Sequence, residues 1–283
     1  MRGRRKGVDL KAMICTGPDG AYEALQLYKS KVSRLRNKGQ LNEALLVATD
    51  GTIQLLKSNY ESAGIEMSKL FIELIEETSQ ELSPDNRSLI NQINESFVIS
   101  SPARAMFLRS CVKYSMENGQ RVHGDPILQS QLGEALWRSG EHRQSLKHYV
   151  LGESPESLWS MIVEDYGSPD NKQTRHELGT LSILYFLAYE NIRDANTLMT
   201  SMKQHHGSDC SSDPLIEFCD RLLQTSLRDA KPLFKKLVQV YSAYLNFDPA
   251  AMTMLKGPIA KNLFGIESAP NMMSMIQNML GGL

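Results

Sequence analysis

With 283 residues, 41% of them apolar and 22% charged, the chain can bury a sizeable core, which excludes wholesale disorder. A formal charge of −1 provides no broad field for nucleic acid or an anionic membrane surface.

Residues 1–19 hold a local basic excess (Arg2, Arg4, Arg5, Lys6, Lys11) and are expected to form a flexible, solvated segment. From Tyr22 the series Tyr22, Leu25, Leu27, Tyr28 and Val32 predicts a helix that stops near Gly39. The next helix carries Leu41, Ala44, Leu45, Ala48, Ile53 and Leu56. A third sets Ile65, Leu70, Phe71, Leu74 and Ile75 on one stripe, with Glu66, Lys69, Glu73, Glu76 and Glu77 outside it. Ser83-Pro84-Asp85 and Ser101-Pro102 read as helix starts, because proline costs little in a first turn.

After Gly124-Asp125-Pro126, the run from Gln131 to Glu156 has the order of a tetratricopeptide-type helix-turn-helix unit. Leu132-Gly133 and Trp137 lie on the first helix, Gly140 turns the chain, and Tyr149 precedes Pro155 on the second. Such a pair cannot bury its apolar face alone, so like neighbours are required and Trp137 should be buried. Ser154-Pro155-Glu156 opens a helix that Gly167-Ser168-Pro169-Asp170 ends. The helix Glu177 to Tyr189 is apolar on nearly every side and should be central, with Asn191 to His205 as its antiparallel partner.

His206 to Asp213 reads as a loop; Leu215 to Ser226 and Asp229 to Leu245 follow as helices. Asn271 to Leu280 closes as a methionine-rich helix containing Met272, Met273, Met275 and Met279. No alternating strand pattern occurs, so the fold class expected is all-α, a solenoid of stacked antiparallel helix pairs.

The most apolar run, Ile183 to Ala188, is far too short for a bilayer, and the N-terminus lacks the apolar core of a secretory signal. Cys15, Cys111, Cys210 and Cys219 show no CxxC pairing and read as reduced thiols, which points to the cytosol with nuclear access left open. His205, His206 and Cys210 with Asp209 or Asp213 lack fixed metal-ligand spacing, and a polar loop is the preferred reading. No phosphate-binding, dinucleotide, zinc-protease or serine-hydrolase motif is present, so neither an enzyme nor a cofactor is expected. The apolar residues Leu233, Phe234, Leu237, Val238, Tyr241 and Tyr244 cover more than one seam of their helix. Leu263, Phe264 and the closing methionines add apolar surface where no further repeat exists to cover it. Either a partner caps that surface or the closing helix folds back over it.

Three collinear segments carry a family signature. The first is Gly20, Tyr22, Ala24, Gln26, Tyr28-Lys29, Arg34 and Glu43-Ala44. The second is Gly124-Asp125-Pro126 with Leu132-Gly133, His148-Tyr149 and Ser154-Pro155-Glu156. The third is Arg228-Asp229-Ala230, Pro232-Leu233-Phe234, Asp248, Leu263-Phe264-Gly265-Ile266 and the tail Met279 to Gly282.

Together they resemble the family of the fourth factor for guided entry of tail-anchored proteins, the conserved edge-expressed proteins. The resemblance implies a right-handed α-solenoid that acts as a non-enzymatic scaffold. Residues 20–150 would dock the targeting ATPase through Tyr22, Gln26, Tyr28, Lys29 and Arg34. Residues 151–283 would hold a ubiquitin-like adaptor through Phe234, Leu237, Tyr241, Leu263, Phe264, Met272 and Met275. A BAG-domain chaperone scaffold would be a third partner. Glu23, Leu25 and Leu35 depart from the family pattern, and Thr16-Gly17-Pro18 breaks the helix before Gly20. The alternative class is a helical-repeat subunit of a proteasome-lid or translation-initiation assembly. Such subunits usually end in a stranded winged-helix module, and residues 228–283 show no strand pattern.

Overall fold

The structure is a computed structural model that describes residues 9–78, 82–206, 213–228 and 230–266. Among these residues every regular element is helical, and the chain divides into two compact units, up to Ser145 and from Leu146. The N-terminal unit contains α1 (Leu10–Ile14), α2 (Pro18–Asn37), α3 (Leu41–Lys57), α4 (Glu61–Thr78), α5 (Pro84–Asn94), α6 (Pro102–Glu117) and α7 (Pro126–Arg138). Helix α8 (His142–Leu151) spans the division. The C-terminal unit continues with α9 (Pro155–Tyr166), α10 (Lys172–Ala188), α11 (Ile192–His206), α12 (Pro214–Ser226) and α13 (Lys231–Tyr241). It ends in α14 (Pro249–Met254) and α15 (Ala260–Phe264), joined across a kink at Gly257-Pro258.

Two local rules repeat along the chain. Five helices start at a Ser-Pro or Asp-Pro pair whose first side chain accepts a hydrogen bond from a first-turn amide. Ser83 accepts from Asn86 at 3.1 Å, Ser101 from Ala103 at 3.1 Å, Asp125 from Ile127 at 3.0 Å, Asp213 from Leu215 at 2.9 Å and Asp248 from Ala250 at 2.8 Å. At the other end, Gly39, Asn59, Gly140, Glu153 and Glu190 all adopt positive φ. Each residue's amide, and that of the next residue, bonds back to carbonyls of the helix just ended; after Gly140, Glu141 N–H reaches Leu136 C=O at 2.8 Å. This closure turns the chain in two residues and satisfies the last carbonyls.

The N-terminal unit stacks α2, α4 and α6 in one layer against α3, α5 and α7. Gly51 on α3 admits Tyr28 of α2, since a Cβ there would lie 2.9 Å from the Tyr28 ring. Phe71, Phe97 and Phe107 pack with ring centroids 6.2 and 5.6 Å apart. Arg104 is buried beside them and bonds Asn94 and Glu134, each at 2.8 Å, tying α5, α6 and α7 together. Trp137 is 1% exposed and stacks on His142 at 4.4 Å, as the helix-turn-helix reading requires. In the C-terminal unit α10 is the central helix, packed by α9, α11, α12 and α14.

The structure corrects several boundaries. Residues 9–19, expected within a flexible segment 1–19, hold a helix: Asp9 caps α1, and Ile14, 1% exposed, anchors that helix against α2. Helix α2 begins at Pro18, since Gly17 at φ 124 turns the chain straight into it. Helix α13 ends at Tyr241 instead of Leu245, and a 3₁₀ turn over Tyr244–Phe247 replaces its last part. The expected closing helix Asn271 to Leu280 lies outside the described residues, with Met272 and Met275 in it.

Candidate docking surfaces

Two exposed faces, one in each unit, contain the residues that sequence reasoning singled out. On α2, Tyr22 is 64% exposed, and Gln26 and Arg34 are also open to solvent. Lys29 is half-buried because its ammonium reaches Glu66 of α4 at 2.5 Å. Helical spacing places Tyr22, Gln26, Lys29, Ser33 and Arg36 along one line. Arg36 was missed by sequence reasoning; it pairs with Glu77, about three α4 turns beyond Glu66. An acidic face on the next helix of the layer, opposite cations spaced by two turns, was the available signal. Arg34 lies roughly a third of a turn off that line and bonds only to Ser30 of its own helix, at 3.4 and 3.5 Å. Its charge is therefore uncompensated by any ion pair among the described residues.

Tyr28 does not belong to this exposed face. It is 2% exposed and donates to Asp50 of α3 at 2.9 Å. Burial, then the Asp50 hydrogen bond and charge, hold its phenol well above the ordinary tyrosine range, so it stays neutral. Its place in the helix sequence is explained by packing, with Tyr22 and Gln26 left above it at the surface.

In the C-terminal unit the same sorting applies. Phe234, Leu237, Tyr241 and Phe264 are all buried. Phe234 stacks on Phe264 at 4.2 Å, and Tyr241 lies 5.5 Å from Phe218 of α12. These four close the core where α12, α13 and α15 meet and are not themselves a surface. Leu263 is half-buried. The exposed apolar residues here are Leu227, Leu233, Val240 and Tyr244, at 66%, 50%, 56% and 54%. Leu233, Val240 and Tyr244 recur at spacings that put them on one side of α13 and its 3₁₀ continuation, with Lys236 beside them. Leu227 and Val240 were missed; Val240, two turns after Leu233, borders the buried face of Phe234, Leu237 and Tyr241 by helical periodicity.

Among the described residues no three of His, Cys, Asp and Glu come together with metal-binding geometry, and Cys210 lies outside them. His205 packs edge-on to Trp159 at 5.9 Å, and burial followed by the nearby Arg175 charge pushes its imidazole below the ordinary range. His176, 1% exposed, contacts Asp213 at 2.7 Å where that carboxylate caps α12. Both histidine environments brace helix ends. No helix among the described residues is long and apolar enough to cross a membrane.

Comparison with known proteins places these surfaces in context. The profile of the family Golgi to ER traffic protein 4 matches residues 38–283. The chain is 26% identical to Protein GET4 of Arabidopsis thaliana, over 87% of this chain and 86% of that one. It is 24% identical to the Golgi to ER traffic protein 4 homolog of Dictyostelium discoideum, over 92% and 84%. The human homolog is 23% identical over 100% of this chain and 86% of its own length, and so takes in α2. The crystal structure of C. therm. Get4 superposes with a TM-score of 0.80 at 26% identity, over 97% of this chain and 94% of that one.

Proposed function

Because this chain belongs to the Golgi to ER traffic protein 4 family, we propose that it is a non-enzymatic docking scaffold for targeting tail-anchored membrane proteins. In this reading the exposed α2 face, Tyr22, Gln26, Lys29 and Arg34, receives the targeting ATPase. The stripe Leu233, Val240 and Tyr244, with Leu227, receives the helical N-terminal segment of a ubiquitin-like adaptor. The observation that carries it is the placement of two exposed, chemically distinct faces on two separately packed units.

The α2 face combines an aromatic ring with cations, suited to an acidic partner reached by long-range attraction. The α13 stripe is apolar with Lys236 beside it, suited to the apolar side of an amphipathic helix. The protein works in the cytosol, where it holds ATPase and adaptor on one chain so that a client passes between them. A BAG-domain scaffold is a further partner that the resemblance implies. The reading as a subunit of another large assembly has lost its ground to the family match.

Reconstitution tests this. The purified chain, the ATPase and the adaptor are mixed pairwise and together, and complex masses are measured by light scattering after size exclusion. One assembly containing all three is expected. Mutual exclusion of ATPase and adaptor, or binding of neither, would refute bridging.

A further inference from the structure

The chain contains four Ser-Pro pairs, at Ser83, Ser101, Ser154 and Ser168. Proline-directed protein kinases accept a serine followed by a trans proline in extended backbone, provided the hydroxyl is free to enter the cleft. The structure separates the four. Ser83 is half-buried, and its hydroxyl accepts from Asn86 at 3.1 Å. Ser101 is buried and bonded to both Ala103 N–H and Glu61. Ser154 is half-buried, donates to Gly152 at 2.9 Å and precedes a buried proline. Ser168 alone of the four is itself exposed: its side chain makes no capping bond, Pro169 is exposed too, and its backbone is extended at φ −65 and ψ 151, as at Ser83 and Ser101. Among the described residues no peptide bond is cis. Ser168 stands in a short loop between α9 and the 3₁₀ turn Pro169–Asn171.

A second observation concerns the same loop. Arg175 on α10 is only 5% exposed, and its Nη1 donates to the carbonyl of Tyr166 at 2.6 Å and to that of Ser168 itself at 3.3 Å. Its Nε–H is buried with no partner, a donor left over in the fold. Burial also holds the guanidinium below its ordinary pKa, so an added anion beside it relieves an existing cost.

We propose that Ser168 is a phosphorylation site for a proline-directed protein kinase, and that Arg175 holds the resulting phosphate against the start of α10. The kinase transfers the γ-phosphoryl group of ATP. The Ser168 Oγ–P bond forms, the bond from the γ-phosphorus to the bridging oxygen breaks, ADP leaves, and the hydroxyl proton passes to the kinase's base. Glu164, Asp165 and Asp170 flank the loop and oppose a new negative charge, while Lys172 and Arg175 favour it. What tips the balance is that Arg175 is already fixed on the Ser168 backbone and loses little freedom on binding. The modification puts about −2 on a chain of formal charge −1, within the C-terminal unit. The inference goes beyond the docking scheme and does not depend on it.

Folded protein is incubated with ATP and a recombinant cyclin-dependent-class kinase, and site occupancy is followed by mass spectrometry beside four peptides that span the same serines. In the folded protein Ser168 is expected to be labelled about tenfold or more faster than the other three, with the peptides differing far less. Ser168→Ala should abolish most incorporation. Equal labelling of the four, or a folded protein labelled at Ser83, Ser101 or Ser154 instead, would overturn the site. Phosphorus-31 NMR then titrates the phosphoprotein against its Ser168 peptide. A phosphate pKa lower by about half a unit or more supports the Arg175 contact, and an unshifted value removes it.

Discussion

At the scale of single residues, most positions in this chain that look reactive are structural, and Asp213 shows how. Its carboxylate caps α12 through the amides of Leu215 at 2.9 Å and Ile216 at 3.3 Å, and meets His176 at 2.7 Å. Burial alone would push its pKa up, but the His176 hydrogen bond and charge and the two amides outweigh burial and leave it lowered. A carboxylate with a lowered folded pKa contributes stability that is fully present above the ordinary carboxylate range. That contribution is lost as pH falls through the folded value. Asp213→Ala should therefore cost about 0.5–2 kcal/mol at neutral pH, the usual worth of an N-cap. The gap between variant and parent should narrow between neutral and strongly acidic pH, as pH falls through the lowered folded value. Urea unfolding at the two pH values measures it, and a gap independent of pH would mean that Asp213 acts through shape alone.

At the scale of elements, the turns do as much as the helices to define the repeat. Five turns use a residue at positive φ followed by two backward hydrogen bonds, yet only Gly39 and Gly140 are glycines, while Asn59, Glu153 and Glu190 do the same work. Gly140 has no atom within 4 Å of where a Cβ would stand, so Gly140→Ala meets no clash and tests backbone conformation alone. It should cost about 1–2 kcal/mol, the penalty of a left-handed β-carbon. Glu190→Gly should be neutral or stabilising by up to about 1 kcal/mol, as relief of that penalty offsets added freedom in the unfolded chain. Denaturant midpoints at unchanged slope would establish both values, and a harmless Gly140→Ala would show that the turn can rearrange.

This pattern also explains what was legible in the sequence. Ser-Pro and Asp-Pro starts and glycine stops announce themselves, so α5, α6, α7 and α9 begin where their residues say. Closures at Glu153 and Glu190 carry no such mark. The short α1 was hidden because its basic composition suggests solvation, whereas Asp9 and Ile14 fix it locally. Of the residues proposed for docking, Tyr22, Gln26 and Arg34 lie exposed, whereas Tyr28, Phe234, Leu237, Tyr241 and Phe264 are buried. Periodicity finds an apolar face, but only the positions of α12 and α15 decide that Phe234 and Phe264 meet each other instead of a partner.

At the scale of the whole molecule, the proposed role demands that two partners bind one chain without competing, and the two surfaces can be tested separately. Arg34 has no ion pair among the described residues, whereas Lys29 is held by Glu66, so Arg34 should carry more of the attraction toward an acidic ATPase face. Arg34→Glu should slow ATPase association and flatten its salt dependence, with little effect on dissociation. Tyr22→Ala should act on dissociation instead, since an exposed aromatic supplies contact area and not long-range field. In the other unit, Val240→Asp places a charge in the apolar stripe and should weaken adaptor binding about tenfold or more. Both positions are exposed in the free protein, so stability should change by no more than about 0.5 kcal/mol. If the units dock their partners independently, Arg34→Glu leaves adaptor affinity untouched, Val240→Asp leaves ATPase affinity untouched, and the double variant shows the sum of the single effects. Loss of ATPase binding in Val240→Asp with a normal melting curve would mean that the two surfaces are energetically coupled, and the bridge would then have to be described as a switch.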